Sequence, residues 1–114
     1  MGYCLGGLMT FLTTARKGAD ASVAYYGGNT EKHLDEAGEI RNPLLIHLGE
    51  DDEYIPQGAQ QAIIEALSDN PCAQVFTYPG CRHAFARHRG KHYEKTAAAL
   101  ANGRTADFLR TQLK

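Results

Sequence analysis

Apolar positions along this chain fall into two rhythms, one of helices and one of short buried strands. Over residues 5–17, Leu5, Leu8, Met9 and Leu12 recur at helical spacing, and Gly18 follows as a C-terminal stop. Residues 21–26 (ASVAYY) make a short apolar run closed by Gly27-Gly28, which predicts a buried strand. Residues 29–42 are polar and charged and read as an excursion with one irregular helical turn. Pro43 leads into Leu44-Leu45-Ile46-His47-Leu48, a second strand-length run stopped by Gly49-Glu50-Asp51-Asp52. Pro56 starts a helix with Ala59, Ile63, Ala66 and Leu67 on one face, ended by Asn70-Pro71. Residues 73–78 (AQVFTY) form the third strand, turned by Pro79-Gly80. A basic, His-rich loop covers residues 82–92. From Tyr93 a last helix runs toward Leu113 and buries Tyr93, Ala97, Leu100, Ala101 and Phe108.

Strands that alternate with helices predict an α/β layer structure around a parallel sheet. Unbroken apolar strands suit a sheet covered on both faces. About three parallel strands with flanking helices are expected, in a single domain over residues 1–114. The composition, 43% hydrophobic and 22% charged, is that of a globular protein and not of a disordered one. A net charge of −1 gives no global pull toward nucleic acid or membrane. No apolar run approaches the roughly 20 residues that span a bilayer. No signal-peptide pattern opens the chain, so the expected setting is cytoplasmic. Three cysteines, with no Cys-x-x-Cys among them, fit neither a disulfide framework nor a zinc site.

The chemistry gathers at element ends. Gly2-Tyr3-Cys4-Leu5-Gly6 has the spacing of a nucleophile elbow, with Cys4 at a turn entering a helix. Gly2 and Gly6 are expected to be glycine because a side chain there would collide with its neighbours. Asp52 follows one strand and His83 follows the next. In an open parallel sheet the carboxyl ends of the strands share one edge, where ligands bind. Nucleophile, acid and histidine in that chain order match the α/β-hydrolase triad. The helix N-terminus would favour the Cys4 thiolate. His83 would move the proton, Asp52 would orient its ring, and the Leu5 N–H would face the oxyanion.

At these residues the sequence resembles the dienelactone hydrolase (carboxymethylenebutenolidase) family of the α/β-hydrolase fold. The elbow, Tyr25-Tyr26-Gly27, the segment from Gly49 through Asp52 to Ile55-Pro56, His83-Ala84-Phe85-Ala86-Arg87 and the helix around Ala97 to Phe108 carry the likeness. It covers nearly the whole chain but corresponds to the C-terminal half of a family member. The resemblance implies Cys4 as nucleophile, Asp52 as orienting acid, His83 as base and Arg87 as the substrate-carboxylate ligand. It implies opening of an enol-lactone to maleylacetate through an acyl-enzyme, in the breakdown of chloroaromatic compounds. It implies no metal and no organic cofactor. Ala84 stands where some members carry serine. By the same resemblance the absent first half would supply early strands, a second oxyanion donor, an acidic residue near the resting cysteine and a second arginine.

Several expectations follow from that half-length match. The strand at 21–26 is expected to leave an apolar edge open, which invites self-association or a complementing chain. An inactive fragment that acts by association, and a hydrolase of another small ester, are the alternatives. Arg82, Arg87, His88, Arg89, Lys91 and His92 form a basic patch that reads as a solvated loop beside an anionic substrate site, not as a nucleic-acid surface. His83, His88 and His92 have metal-like spacing but lie where a loop is expected, so no metal is assigned.

Overall fold

The computed structural model describes residues 1–16, 20–87, 90 and 93–113. Four strands form one sheet in the order β1 (Gly2–Tyr3), β2 (Ser22–Tyr25), β3 (Leu44–Gly49) and β4 (Ala73–Tyr78). Each neighbouring pair is parallel. The helices are α1 (Leu5–Arg16), a 3-10 helix (Thr30–Glu39), α2 (Gln57–Leu67) and α3 (Lys95–Gln112). This is the expected α/β sheet with one strand more than expected. The extra strand is the two-residue β1, whose Gly2 and Tyr3 pair with Ala24 and Tyr25. β1 therefore covers the edge of β2 only at Ala24 and Tyr25, and Ser22 and Val23 have no partner in β1. No helix among the described residues is long and apolar enough to cross a membrane.

β3 is buried along its whole length, as an apolar strand between two helix layers should be. His47 on β3 faces α3, so strand alternation turns Ile46 and Leu48 the other way. The 3-10 helix packs against both α1 and α2. On the α3 side, four rings sit in register across the sheet: Tyr3, Tyr25, His47 and Phe76. Tyr3 to Tyr25 and Tyr25 to His47 are each 4.5 Å between centroids, and His47 to Phe76 is 6.3 Å. The Arg104 guanidinium covers the far end, 4.0 Å from the Phe76 ring.

Several expected boundaries and faces shift for local reasons. β2 stops at Tyr25, because Tyr26 turns to φ 39° while its N–H still donates to His47 O. The 29–42 excursion holds ten residues of 3-10 helix, kinked at His33, and not one turn. α3 starts at Lys95 and not at Tyr93, because the Tyr93 and Glu94 amides are committed to the Gly90 and Phe85 carbonyls. Its buried face is Ala98, Ala101 and Thr105; Leu100 is exposed, and Ala97 and Phe108 are half-buried. In α1, Leu8, Phe11, Leu12 and Ala15 enter the core, whereas Leu5 and Met9 are 71% and 54% exposed. In α2, Gln60 joins Ile63 and Leu67 in the interior, and Ala66 is exposed. The Gly18 stop lies outside the described residues.

Thr105 takes a core position because it has polar partners there. The Tyr25 hydroxyl donates to Asn102 Oδ1 at 2.7 Å, so it accepts from Thr105 Oγ1, also at 2.7 Å. Thr105 Oγ1 then accepts from His47 Nε2–H at 2.9 Å, and His47 Nδ1 accepts from the Tyr78 hydroxyl at 2.7 Å. The chain of bonds fixes one neutral tautomer of His47. Burial and the Arg104 charge together push the His47 pKa down to about 4. Three strands are thus tied to α3 by one directed set of hydrogen bonds.

Candidate active site

Cys4 sits between β1 and α1 in a left-handed backbone conformation, φ 56°, which a β-carbon makes costly. Its N–H donates to Tyr25 O at 3.1 Å, and its carbonyl accepts from Gly7 and Leu8 at 2.9 and 3.3 Å. These bonds close the strand-to-helix turn. Gly2 is essential to it, since a β-carbon there would lie 2.1 Å from Gly6 O and 2.4 Å from Thr10 Oγ1. Gly6 corrects the expectation, because a β-carbon there would meet open space. The constrained helical glycine is Gly7, whose β-carbon would come 2.6 Å from Tyr25 O and 2.9 Å from Gly27 Cα. The helix meets the end of β2 backbone to backbone at that point.

The acid–base pair comes from the loops after β3 and β4. Asp52 is 4% exposed; its Oδ2 lies 2.8 Å from His83 Nδ1, and its Oδ1 accepts from Tyr54 N–H at 2.8 Å. Glu53 braces the same corner, accepting from the His83 N–H at 3.1 Å and from Arg82 Nη2 at 2.8 Å. The His83 ring stands edge-on to Tyr26 and Tyr54, with centroids at 5.2 and 4.8 Å. Gln60 holds the Asp52 turn from below, donating from Nε2 to Gly49 O at 2.9 Å and to Ile55 O at 2.8 Å.

Cys4 lines two cavities. One, of about 350 Å³, is bounded by Tyr3, Cys4, Tyr26, Ala86 and Arg87. The other, of about 240 Å³, is bounded by Cys4, Leu5, Gly28, Asn29, Tyr54 and His83. All five residues selected from the sequence, Cys4, Leu5, Asp52, His83 and Arg87, therefore meet at the carboxyl edge of the sheet. Leu5 opens α1, where first-turn N–H groups have no acceptor within the helix. The thiol differs from expectation. Burial pushes the Cys4 pKa up, Arg87 pulls it back and Asp52 adds to the rise. The net direction is upward, opposite to the pull expected of the helix N-terminus.

His88, Arg89, Lys91 and His92 of the basic loop lie outside the described residues. Among the described residues no three His, Cys, Asp or Glu side chains cluster as metal ligands do. Sequence reasoning missed Gln60, Glu53, Tyr26 and Tyr54 as supports of the site. Gln60 had a legible signal, a polar residue within the apolar stripe of the helix after Pro56. The two tyrosines gave none, because Tyr26 reads as a buried aromatic at a strand end and Tyr54 as an exposed turn residue.

Comparison with known proteins finds relatives along nearly the whole chain. A carboxymethylenebutenolidase from Pseudomonas putida is 43% identical over 109 residues, which are 96% of this chain and 46% of that protein. Carboxymethylenebutenolidase 1 from Cupriavidus pinatubonensis is 35% identical, with the same shares covered. A crystal structure from Klebsiella pneumoniae superposes with a TM-score of 0.86 at 29% identity, over 96% of this chain and 50% of that one. The chain spans about half the length of the curated relatives it matches. The sequence model of the dienelactone hydrolase family matches residues 1–113, and the chain belongs to that family.

Proposed function

We propose that this chain carries the nucleophile, acid and base of a cysteine-dependent carboxylic-ester hydrolase that opens an enol-lactone. The observation that carries the reading is the 2.8 Å contact of His83 Nδ1 with Asp52, in a histidine that shares a cavity wall with Cys4. His83 takes the thiol proton as Cys4 Sγ attacks the lactone carbonyl. The oxyanion forms beside the Leu5 N–H. The ring C–O bond then breaks, and the enol oxygen leaves with the proton held on His83. Water, deprotonated by His83, attacks the thioester; the product carboxylate leaves and the thiol is restored. Asp52 keeps the Nδ1–H tautomer in place and stabilises the imidazolium. Arg87, on the wall of the larger cavity, faces an anionic substrate group as a bidentate partner. The names of the relatives support a carboxylate-bearing butenolide as substrate. Another small ester is the alternative substrate.

The test is incubation with a dienelactone while intact mass and lactone absorbance are followed. The expected result is a transient adduct of lactone mass on Cys4, lost in the Cys4→Ala variant. An unmodified Cys4 together with unchanged lactone sinks the proposal. A second reading, association with another copy or a complementing chain, is favoured by the exposed flank of Met1, Tyr3, Leu5 and Met9 beside the short β1 edge. Light scattering checks it, and a strictly monomeric mass at all concentrations with no captured partner counts against it.

A further inference from the structure

The nucleophile stands at the seam of two cavities of different chemistry. The larger presents a cation, Arg87, beside Tyr3, Tyr26 and Ala86. The smaller holds the base, His83, together with Tyr54 and Asn29. Acyl transfer treats the two sides of the attacked carbonyl differently. The leaving oxygen must collect its proton from the imidazolium, so it departs on the histidine side. The acyl portion stays bonded to sulfur and extends away from it. Resting on the acyl-transfer reading above, we propose that the smaller cavity is the leaving-group subsite and that Tyr54 sets its selectivity.

Tyr54 is built for such a role. Its backbone N–H is fixed to Asp52 Oδ1 at 2.8 Å, and its ring stands edge-on to His83 at 4.8 Å. Yet the residue is 67% exposed, so core packing does not account for the ring. It lines the smaller cavity together with Cys4 and His83. Asn29 also lines it, from a left-handed backbone, φ 68° and ψ 4°, a conformation that asparagine tolerates better than most residues. A cavity of about 240 Å³ that places a phenol ring and an imidazole on its lining suits a planar enol or phenol. The geometry therefore divides selectivity: Tyr54 discriminates among leaving groups, and the Arg87 cavity discriminates among acyl groups.

The experiment follows acylation of Cys4 by intact mass, which needs one chemical step and no turnover. Two ester series are used, phenyl against 2-naphthyl acetate and 4-nitrophenyl acetate against its succinyl counterpart. For Tyr54→Ala the naphthyl-to-phenyl rate ratio is expected to rise about tenfold, the scale of a changed pocket wall, with the succinyl-to-acetyl ratio unchanged. Tyr54→Phe should keep both ratios, since the wall remains. A Tyr54→Ala variant that alters the succinyl-to-acetyl ratio, or neither ratio, overturns the subsite and leaves the acyl-transfer reading standing. Failure of every ester to acylate wild-type Cys4 overturns the acyl-transfer reading itself.

Discussion

Around Asp52 and His83 the chain supplies its own supports. The carboxylate is buried and doubly bonded, Glu53 fixes the histidine backbone, and Gln60 ties the turn to α2. Beneath them the His47 hydrogen bonds lock the sheet to α3. Around Cys4 the supports are thinner. The strand behind it has two residues, and Leu5 and Met9 show their side chains to solvent. Both regions contribute to one candidate site, yet one is packed within this chain and the other is open on its outer flank. Precise placement of a side chain costs conformational entropy that packing must offset. The acid–base corner has that packing, so its geometry is the firmer of the two.

The largest test of the contrast is Asp52→Asn. A correctly packed corner that merely loses its charge should keep its fold, while Cys4 acylation falls by about 10⁴-fold, the scale seen when a triad histidine is held in the wrong tautomer. Unchanged thermal unfolding alongside that loss is the expected pair of results. A similar drop in stability would instead make Asp52 a structural residue.

Next in size is the pH response of the base layer. The folded pKa of His47, about 4, lies below the ordinary value of 6.5. The unfolded chain therefore binds a proton that the folded chain refuses. Stability is complete above about pH 6.5 and declines as pH falls toward 4, with a total loss on the order of 3 kcal/mol. Urea unfolding between pH 7 and 4 measures it. His47→Phe should be less stable at pH 7, because the Tyr78 and Thr105 hydroxyls lose a partner, and its stability should depend less on pH in this window.

At the elbow, Gly7→Ala is expected to cost about 1–3 kcal/mol, since the new methyl group meets the backbone at Tyr25 and Gly27 and neither can yield alone. Arg87→Gln should act on chemistry more than on stability. Burial, the first cause, raises the Cys4 pKa, and Arg87 opposes it. Removing the guanidinium should move the pH midpoint of iodoacetamide labelling at Cys4 further upward. A midpoint that stays put would show that Arg87 does not face the thiol.

Two strands, β2 and β3, were readable because they are buried along their length and leave apolar runs between turn residues, and residues 73–78 match the partly buried β4 to the residue. β1 was not readable, because two residues carry no period at all. Asp52 and His83 were readable because each follows a legible strand, whereas Cys4 was singled out by the glycine spacing around it. The inward face of α3 was not, because Thr105 enters the core through hydrogen bonds to His47 and Tyr25, which no hydrophobic rhythm signals. The helix position of Cys4 is visible in the sequence, whereas the burial that pushes its pKa up is not.

The smallest effect is the one that separates motif from structure. The elbow pattern asks for glycine at both Gly2 and Gly6, but the two positions differ physically. A methyl group on Gly2 would strike the Gly6 carbonyl, whereas one on Gly6 meets nothing within 4 Å. Gly6 lies in the first turn of α1, where glycine is less favourable than alanine. Gly6→Ala should therefore stabilise the chain by about 0.5–1 kcal/mol, with the acylation rate of Cys4 unchanged. Paired denaturation and labelling curves give both numbers. If stability rises but assembly with a partner chain is lost, the space beside Gly6 belongs to another segment of polypeptide, and the open flank of the elbow is an interface. If both stability and assembly hold, the glycine there serves neither the turn nor a partner, and the working constraint on the helix is Gly7 against Gly27.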